Sequence, residues 1–233
     1  MADIQLRFGK DMLVVSSPVE EQLLTQADAL PWDEDGEEGL ADLTAANVPF
    51  VQTTTVQPSP DAAESGAVEL SLLIEPEVFE DAYRLERAVG ANCLVAPTAH
   101  LTPARLAHVR LQDAAADLAR TAIQVIQAHA PEHGLVELNP SGLPLDAASK
   151  ASLLENRSQY ERAARLFNDL PFDAFLLNGF VRIADLRCAL MGIRKVSDAP
   201  IITCVDINAQ GMLAPLEPAS GSRSFLVRET LEE

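Results

Sequence analysis

The stretch "ANCLVAPTAH", residues 91 to 100, sets a thiol inside an apolar run and an imidazole at its end. A thiolate and an imidazole are the side chains that bind zinc or attack as nucleophiles, so this run raises the question of a metal or catalytic site. The three cysteines, Cys93, Cys188 and Cys204, lie far apart and are odd in number, and no histidine or cysteine pair stands at ligand spacing. Buried reduced thiols are therefore expected rather than a disulfide framework or a metal site. His100 directly precedes a helix start and is expected to be a solvent-facing turn residue. Three polar residues close apolar segments: Asn139, Asn178 and Asp206. At strand ends they can hydrogen-bond a small polar ligand, or cap the next turn or helix.

The elements that must position these residues alternate. "MLVVSS" reads as a first strand. "PEVFEDAYRLERAVG" opens with Pro76 and closes at Gly90, with Val78, Ala82, Leu85 and Val89 as its apolar stripe. "ANCLVAP" is a buried strand. A long helix from Thr102, as N-cap, and Pro103 is expected to end before Pro131 and Gly134. "GLVELNPSG" is a strand and turn, and the next helix carries Leu153, Tyr160, Ala164 and Phe167 near one face. "DAFLLNGF" is a strand, the following helix repeats Ile183, Leu186, Leu190 and Ile193, and "APIITCVDI" is a fifth strand. Strands apolar on both faces that alternate with helices imply an α/β fold, either a mostly parallel sheet or a barrel of TIM-barrel-like (β/α) units. Five parallel strands make a partial or shortened barrel, the alternative being an open doubly wound sheet. A barrel would set its chemistry at the strand C-termini, where Asn139, Asn178 and Asp206 fall.

The charge narrows the partners. Among 233 residues, 35 Asp and Glu face 17 Lys and Arg, a formal net charge of -18. Such a surface repels phosphate backbones and anionic lipid, which argues against nucleic acid and membrane as partners. No apolar run approaches the roughly 20 residues of a spanning helix, and the N-terminus lacks the order of a secretory signal, so a cytoplasmic protein is expected. Residues 27 to 67 read as an acidic insertion, with Asp33, Glu34, Asp35, Glu37, Glu38 and Asp42 crowded together and "VPFVQTTTV" as a short exposed strand or hairpin arm. The α/β domain then comprises residues 1–26 and 68–214, and residues 215–233 form a C-terminal tail.

Order and spacing resemble the homocysteine S-methyltransferase family, whose homocysteine-binding domain is a zinc-containing (β/α) barrel. "RAVGANC" is similar to the family's Ala-Gly-Ala-Asp passage, and the strand after it ends in "VAPTAH" where the family has Glu-Thr-Asn-Thr-Phe. Val95 thus stands in place of a glutamate and Pro97 in place of an asparagine, while Thr98 is kept. "NPSG", Asn139 to Gly142, keeps the form of the Gly-Pro-Thr-Gly turn. "DAFLLNG" resembles Asp-Leu-Leu-Leu-Ile-Glu-Thr, with Asn178 where a substrate-holding glutamate stands, and "KVSDAPIITCVDINAQGML" is similar to the stretch that follows. The resemblance covers about residues 10 to 25 and 68 to 214, the first five β/α units.

The resemblance implies methyl transfer to a thiol such as homocysteine. The family's zinc is held by cysteines on the sixth and eighth strands, beyond the part that this chain resembles, so no metal and no cofactor is expected in this chain. The chemistry needs that metal, because a free thiol near pKa 8.5 is mostly protonated at neutral pH, whereas a zinc-bound thiol is deprotonated. The expectation is a catalytically degenerate homologue, or a methyltransferase half completed by a partner that supplies the zinc ligands. The rival reading is a non-catalytic module that binds a small molecule, or a basic partner through its acidic segment. Open sheet edges call for cover by the insertion and tail, a protein partner or a second copy.

Overall fold

The computed structural model describes residues 3–8, 10–19 and 66–205. The expected acidic insertion and C-terminal tail lie outside these residues, apart from Gly66 and Ala67 at the insertion's far edge. Helix α1 (Ile4–Phe8) is followed by an extended passage, then α2 (Ala67–Ile74), a 3-10 turn (Pro76–Phe79) and α3 (Glu80–Ala88). From there strand and helix alternate: β1 (Cys93–Ala96), α4 (Pro103–His108), a second 3-10 turn (Gln112–Ala114), α5 (Ala115–Ala128), β2 (His133–Leu138), α6 (Lys150–Arg165), β3 (Ala174–Phe180), α7 (Ile183–Ile193) and β4 (Ile201–Val205).

The strands form one open parallel sheet in the order β1-β2-β3-β4. Each described strand lies beside its predecessor, as successive β/α units of a barrel do, and the order never reverses as a doubly wound sheet requires. Among the described residues the sheet has four strands, and the expected first strand "MLVVSS" is not one of them. That segment runs beside β1 through a single parallel bridge, Val15 with Cys93. It bonds at both ends of the bridge, with Cys93 N–H donating to Val14 O at 3.0 Å and Ser16 N–H to Cys93 O at 2.9 Å. The ladder stops there because Val95 N–H donates to the Ser16 hydroxyl oxygen at 3.0 Å, and Pro18 carries no N–H to continue it.

Two faces of the sheet divide the core by residue parity. Leu94, Ala96, Val136, Leu138, Phe175 and Leu177 pack among the helices in the main cluster with Tyr83, Ile123, Tyr160 and Phe167. Cys93, Val95, Leu135, Ala174 and Leu176 point the other way, into a smaller cluster closed by Ile4 of α1, with Leu13 and Ile202 against it. That second face is what would line a barrel's interior.

The long helix expected from Thr102 is broken. Arg110 takes φ 60°, and Leu111 N–H closes back on Leu106 O at 2.8 Å, so α4 ends at His108 and α5 begins at Ala115. Thr102 does sit at the N-cap with Pro103 behind it, yet its hydroxyl caps nothing. In α3 and its 3-10 entry the buried side chains are Phe79, Ala82 and Tyr83, while Val78, Leu85 and Val89 are 39%, 59% and 72% exposed. The 3-10 turn at Pro76 changes the phase of the helix, so the expected stripe is displaced. Helices α6 and α7 meet closely at Gly192, where an added Cβ would lie 2.9 Å from Tyr160 Cβ.

Candidate functional site

The C-terminal ends of β2 and β3 bring three polar side chains together. Glu137 shares the parity of Leu135 and Asn178 that of Leu176, so both stand on the sheet face opposite the main helix layer. Glu137 is 1% exposed. Asn178 Nδ2 donates to its Oε1 at 2.9 Å. The Asn139 amide, turned so that its nitrogen faces oxygen, donates to the same Oε1 and to Asn178 O, each at 3.0 Å. The network fixes that orientation, because the reverse would oppose oxygen to oxygen. Two amide donors on one oxygen suit a carboxylate, which accepts without donating when ionised.

Local backbone geometry aims these groups. Between Leu177, paired with Thr203, and Phe180, paired with Val205, β3 carries one residue more than β4. This bulge holds Asn178 and Gly179, and Gly179 takes φ +72°, where a side chain would be strained. Gly179 N–H donates to Asn178 Oδ1 at 3.0 Å, which leaves Nδ2 directed to Glu137. From β1, the buried Thr98 hydroxyl donates to Glu137 O at 2.9 Å and lies 3.2 Å from Ala96 O, tying the β1 end to β2. The turn after Asn139 is held by Tyr160, whose oxygen accepts Ser141 N–H at 2.9 Å. Burial pushes the Tyr160 phenol well above its usual range, so it remains a neutral hydroxyl in that role.

Of the three residues expected at the site, Asn139 and Asn178 meet, and Asp206 lies outside the described residues. Glu137, to which both amides donate, was not anticipated. Its signal was a single carboxylate inside a strand buried along its whole length, two residues before Asn139. His100 departs from the expected solvent-facing turn: its side chain is 18% exposed and its Nδ1 lies 3.4 Å from the buried Glu69 Oε1.

The cysteines do not converge. Cys93 opens β1 at the end remote from this site, buried, with its thiol pushed up to about 11 chiefly by that burial. Cys188 is buried, and its Sγ lies 3.7 Å from Leu153 O of α6. Cys204 lies on β4 and is exposed, against the expectation of a buried thiol. Among the described residues no three of His, Cys, Asp and Glu gather as metal ligands, so these donors do not fit a three-thiolate zinc site.

No family model and no curated protein matches the sequence. Among solved structures the chain is similar to the homocysteine methyltransferase MmuM from Escherichia coli in its metallated form, with a TM-score of 0.62 and 11% identity over 90% of this chain and 68% of that one. The likeness is one of fold. That neighbour is a TIM-barrel enzyme, which agrees with the sequential parallel order of β1 to β4. Nearly a third of its length has no counterpart here. No described helix is long and apolar enough to cross a membrane.

Proposed function

We propose that the protein binds a small polar molecule at the C-terminal ends of β2 and β3, on a scaffold similar to that of a homocysteine methyltransferase. The observation that carries this reading is the Glu137 carboxylate, 1% exposed and gripped by Asn178 and Asn139 at the strand ends. Burying a charge costs several kcal/mol even after relaxation, and a sheet meant only for packing would set a leucine there. A carboxylate with two amides beside it suits an amino group with adjoining polar atoms, as in a small amino acid or thiol of the homocysteine class.

Methyl transfer by these residues alone lacks an activated thiol, because the described donors do not assemble the thiolate set that zinc would require. The chain acts in this reading either as a binding protein with degenerate catalysis or as one half of a methyltransferase. In the second case a partner supplies the metal ligands and covers β4, whose residues are partly exposed along its length. The competing role, an acidic module that docks a basic partner, rests on residues outside those described.

Calorimetric titration with L-homocysteine tests the proposal. Saturable binding that is lost in Glu137→Gln supports it, and no binding by the wild-type chain overturns it. Elemental analysis is the companion measurement: stoichiometric zinc in the purified chain would refute the degenerate reading.

A further inference from the structure

A cleft opens beside the turn that follows β2, at Ser141 and Gly142. Its volume is about 270 Å³, just under the roughly 300 Å³ at which sites for drug-sized ligands begin. Glu69, His100, Arg105, His108 and Gly142 line it. Four separate parts of the chain converge there: α2, the β1–α4 loop, α4 and the turn after β2.

Acidic residues outnumber basic ones by 35 to 17, and Arg7, Arg84, Arg120, Arg162, Arg165, Arg182 and Lys195 pair with carboxylates. Arg105, which faces the cleft, is one of the described cations with no ion pair. Its Nε donates to Pro140 O at 3.3 Å, and among the described residues its terminal amino groups meet no acceptor. The guanidinium lies against Gly142, φ +78°, where an added Cβ would come within 3.1 Å of Nε. Glycine is thus required both for the turn and for the approach of the arginine. The nearby buried carboxylate, Glu69, is directed to His100 Nδ1. That contact fixes the imidazole by one nitrogen, and Nε2 makes no hydrogen bond among the described residues. His108, exposed at the rim, has no described ion pair.

We infer that this cleft binds a small oxyanion, the carboxylate or phosphate group of a small metabolite. The terminal amino groups of Arg105 form a two-pronged donor that matches two oxygens of such a group. His100 and His108 add donors from either side, and Glu69 is the residue that orients His100. The inference does not rest on the homocysteine-class reading of the β2–β3 site, since it uses none of Glu137, Asn139 or Asn178.

Isothermal titration of the full chain at constant ionic strength, once with inorganic phosphate and once with succinate, tests it. Saturable binding of either anion is expected, and the preferred one identifies which group the cleft takes. Arg105→Leu should weaken it at least about tenfold, the loss of a charge-assisted bond, and His108→Ala should weaken it less. Because His108 is exposed, its variant decides the matter if Arg105→Leu does not fold. Glu137→Gln should leave anion binding intact. No saturable heat from either anion, or unchanged affinity in both cleft variants, would overturn the inference.

Discussion

Asn178 Nδ2 donates to Glu137 Oε1 at 2.9 Å across the C-terminal ends of β3 and β2. The carboxylate is buried, so the bond is part of what makes its burial tolerable. Asn178→Leu removes that donor and should destabilise the fold by about 1–3 kcal/mol, the cost of leaving a buried polar group short of a partner. Urea unfolding measures it. A loss below about 0.5 kcal/mol, the scatter of neutral surface changes, would mean that Glu137 does not depend on Asn178.

Gly192 packs α7 onto α6 with no room for a side chain. A methyl group there would press on Tyr160 Cβ at 2.9 Å and on the backbone of Arg157, neither the free end of a flexible chain. Gly192→Ala raises helix propensity by about 1 kcal/mol, yet overpacking of about 1–3 kcal/mol should match or exceed that gain. Thermal unfolding is expected to show a lower Tm, and a higher Tm would mean that the two helices can part without cost.

The strands were legible because each is a short apolar run between helix signals, and β1 through β4 appear where that pattern places them. The break at Arg110 was not, since nothing about an arginine announces φ 60°. The displaced stripe of α3 has the same origin, a 3-10 entry that changes phase without changing composition. "MLVVSS" has a strand's composition but makes one bridge, because ladder formation depends on Ser16 and Pro18 as well as on apolar residues. At the site, Asn139 and Asn178 were found by position at strand ends. Glu137 is one letter in an apolar strand and carries no signal of its own beyond its period-two parity with Asn139, which puts it on the same face.

The thiols should separate by reactivity. Burial raises Cys93 to about 11, with Glu132 and Asp173 adding to the rise and Arg7 opposing it, and burial also raises Cys188. Cys204 is exposed. Reaction of the native protein with an aromatic disulfide reagent near pH 8 should consume one thiol quickly, a phase abolished in Cys204→Ser, and the other two only after denaturation. Linkage gives a second readout. The native state holds the Cys93 proton more tightly than the unfolded chain, so its contribution is full below the unfolded value near 9 and is lost as pH rises through about 11. A Cys93→Ala variant should lack that part of the alkaline decline.

Glu161 joins α6 to the end of α7. Its carboxylate accepts from Arg165 at 2.8 Å and from Lys195 at 2.8 Å, and these two partners hold it down to about 2, Arg165 contributing first. The native state therefore binds this proton more weakly than the unfolded chain does. The resulting stabilisation is present above the unfolded value near 4.5 and disappears as pH falls toward 2. Both cationic partners are solvent-exposed, so salt should screen the two contacts. Carboxylate NMR titration should find Glu161 low in the wild type, raised most in Arg165→Ala and less in Lys195→Ala. If Lys195→Ala alone restored the ordinary value, the bridge to α7 would be the dominant interaction and the bond within α6 the lesser one.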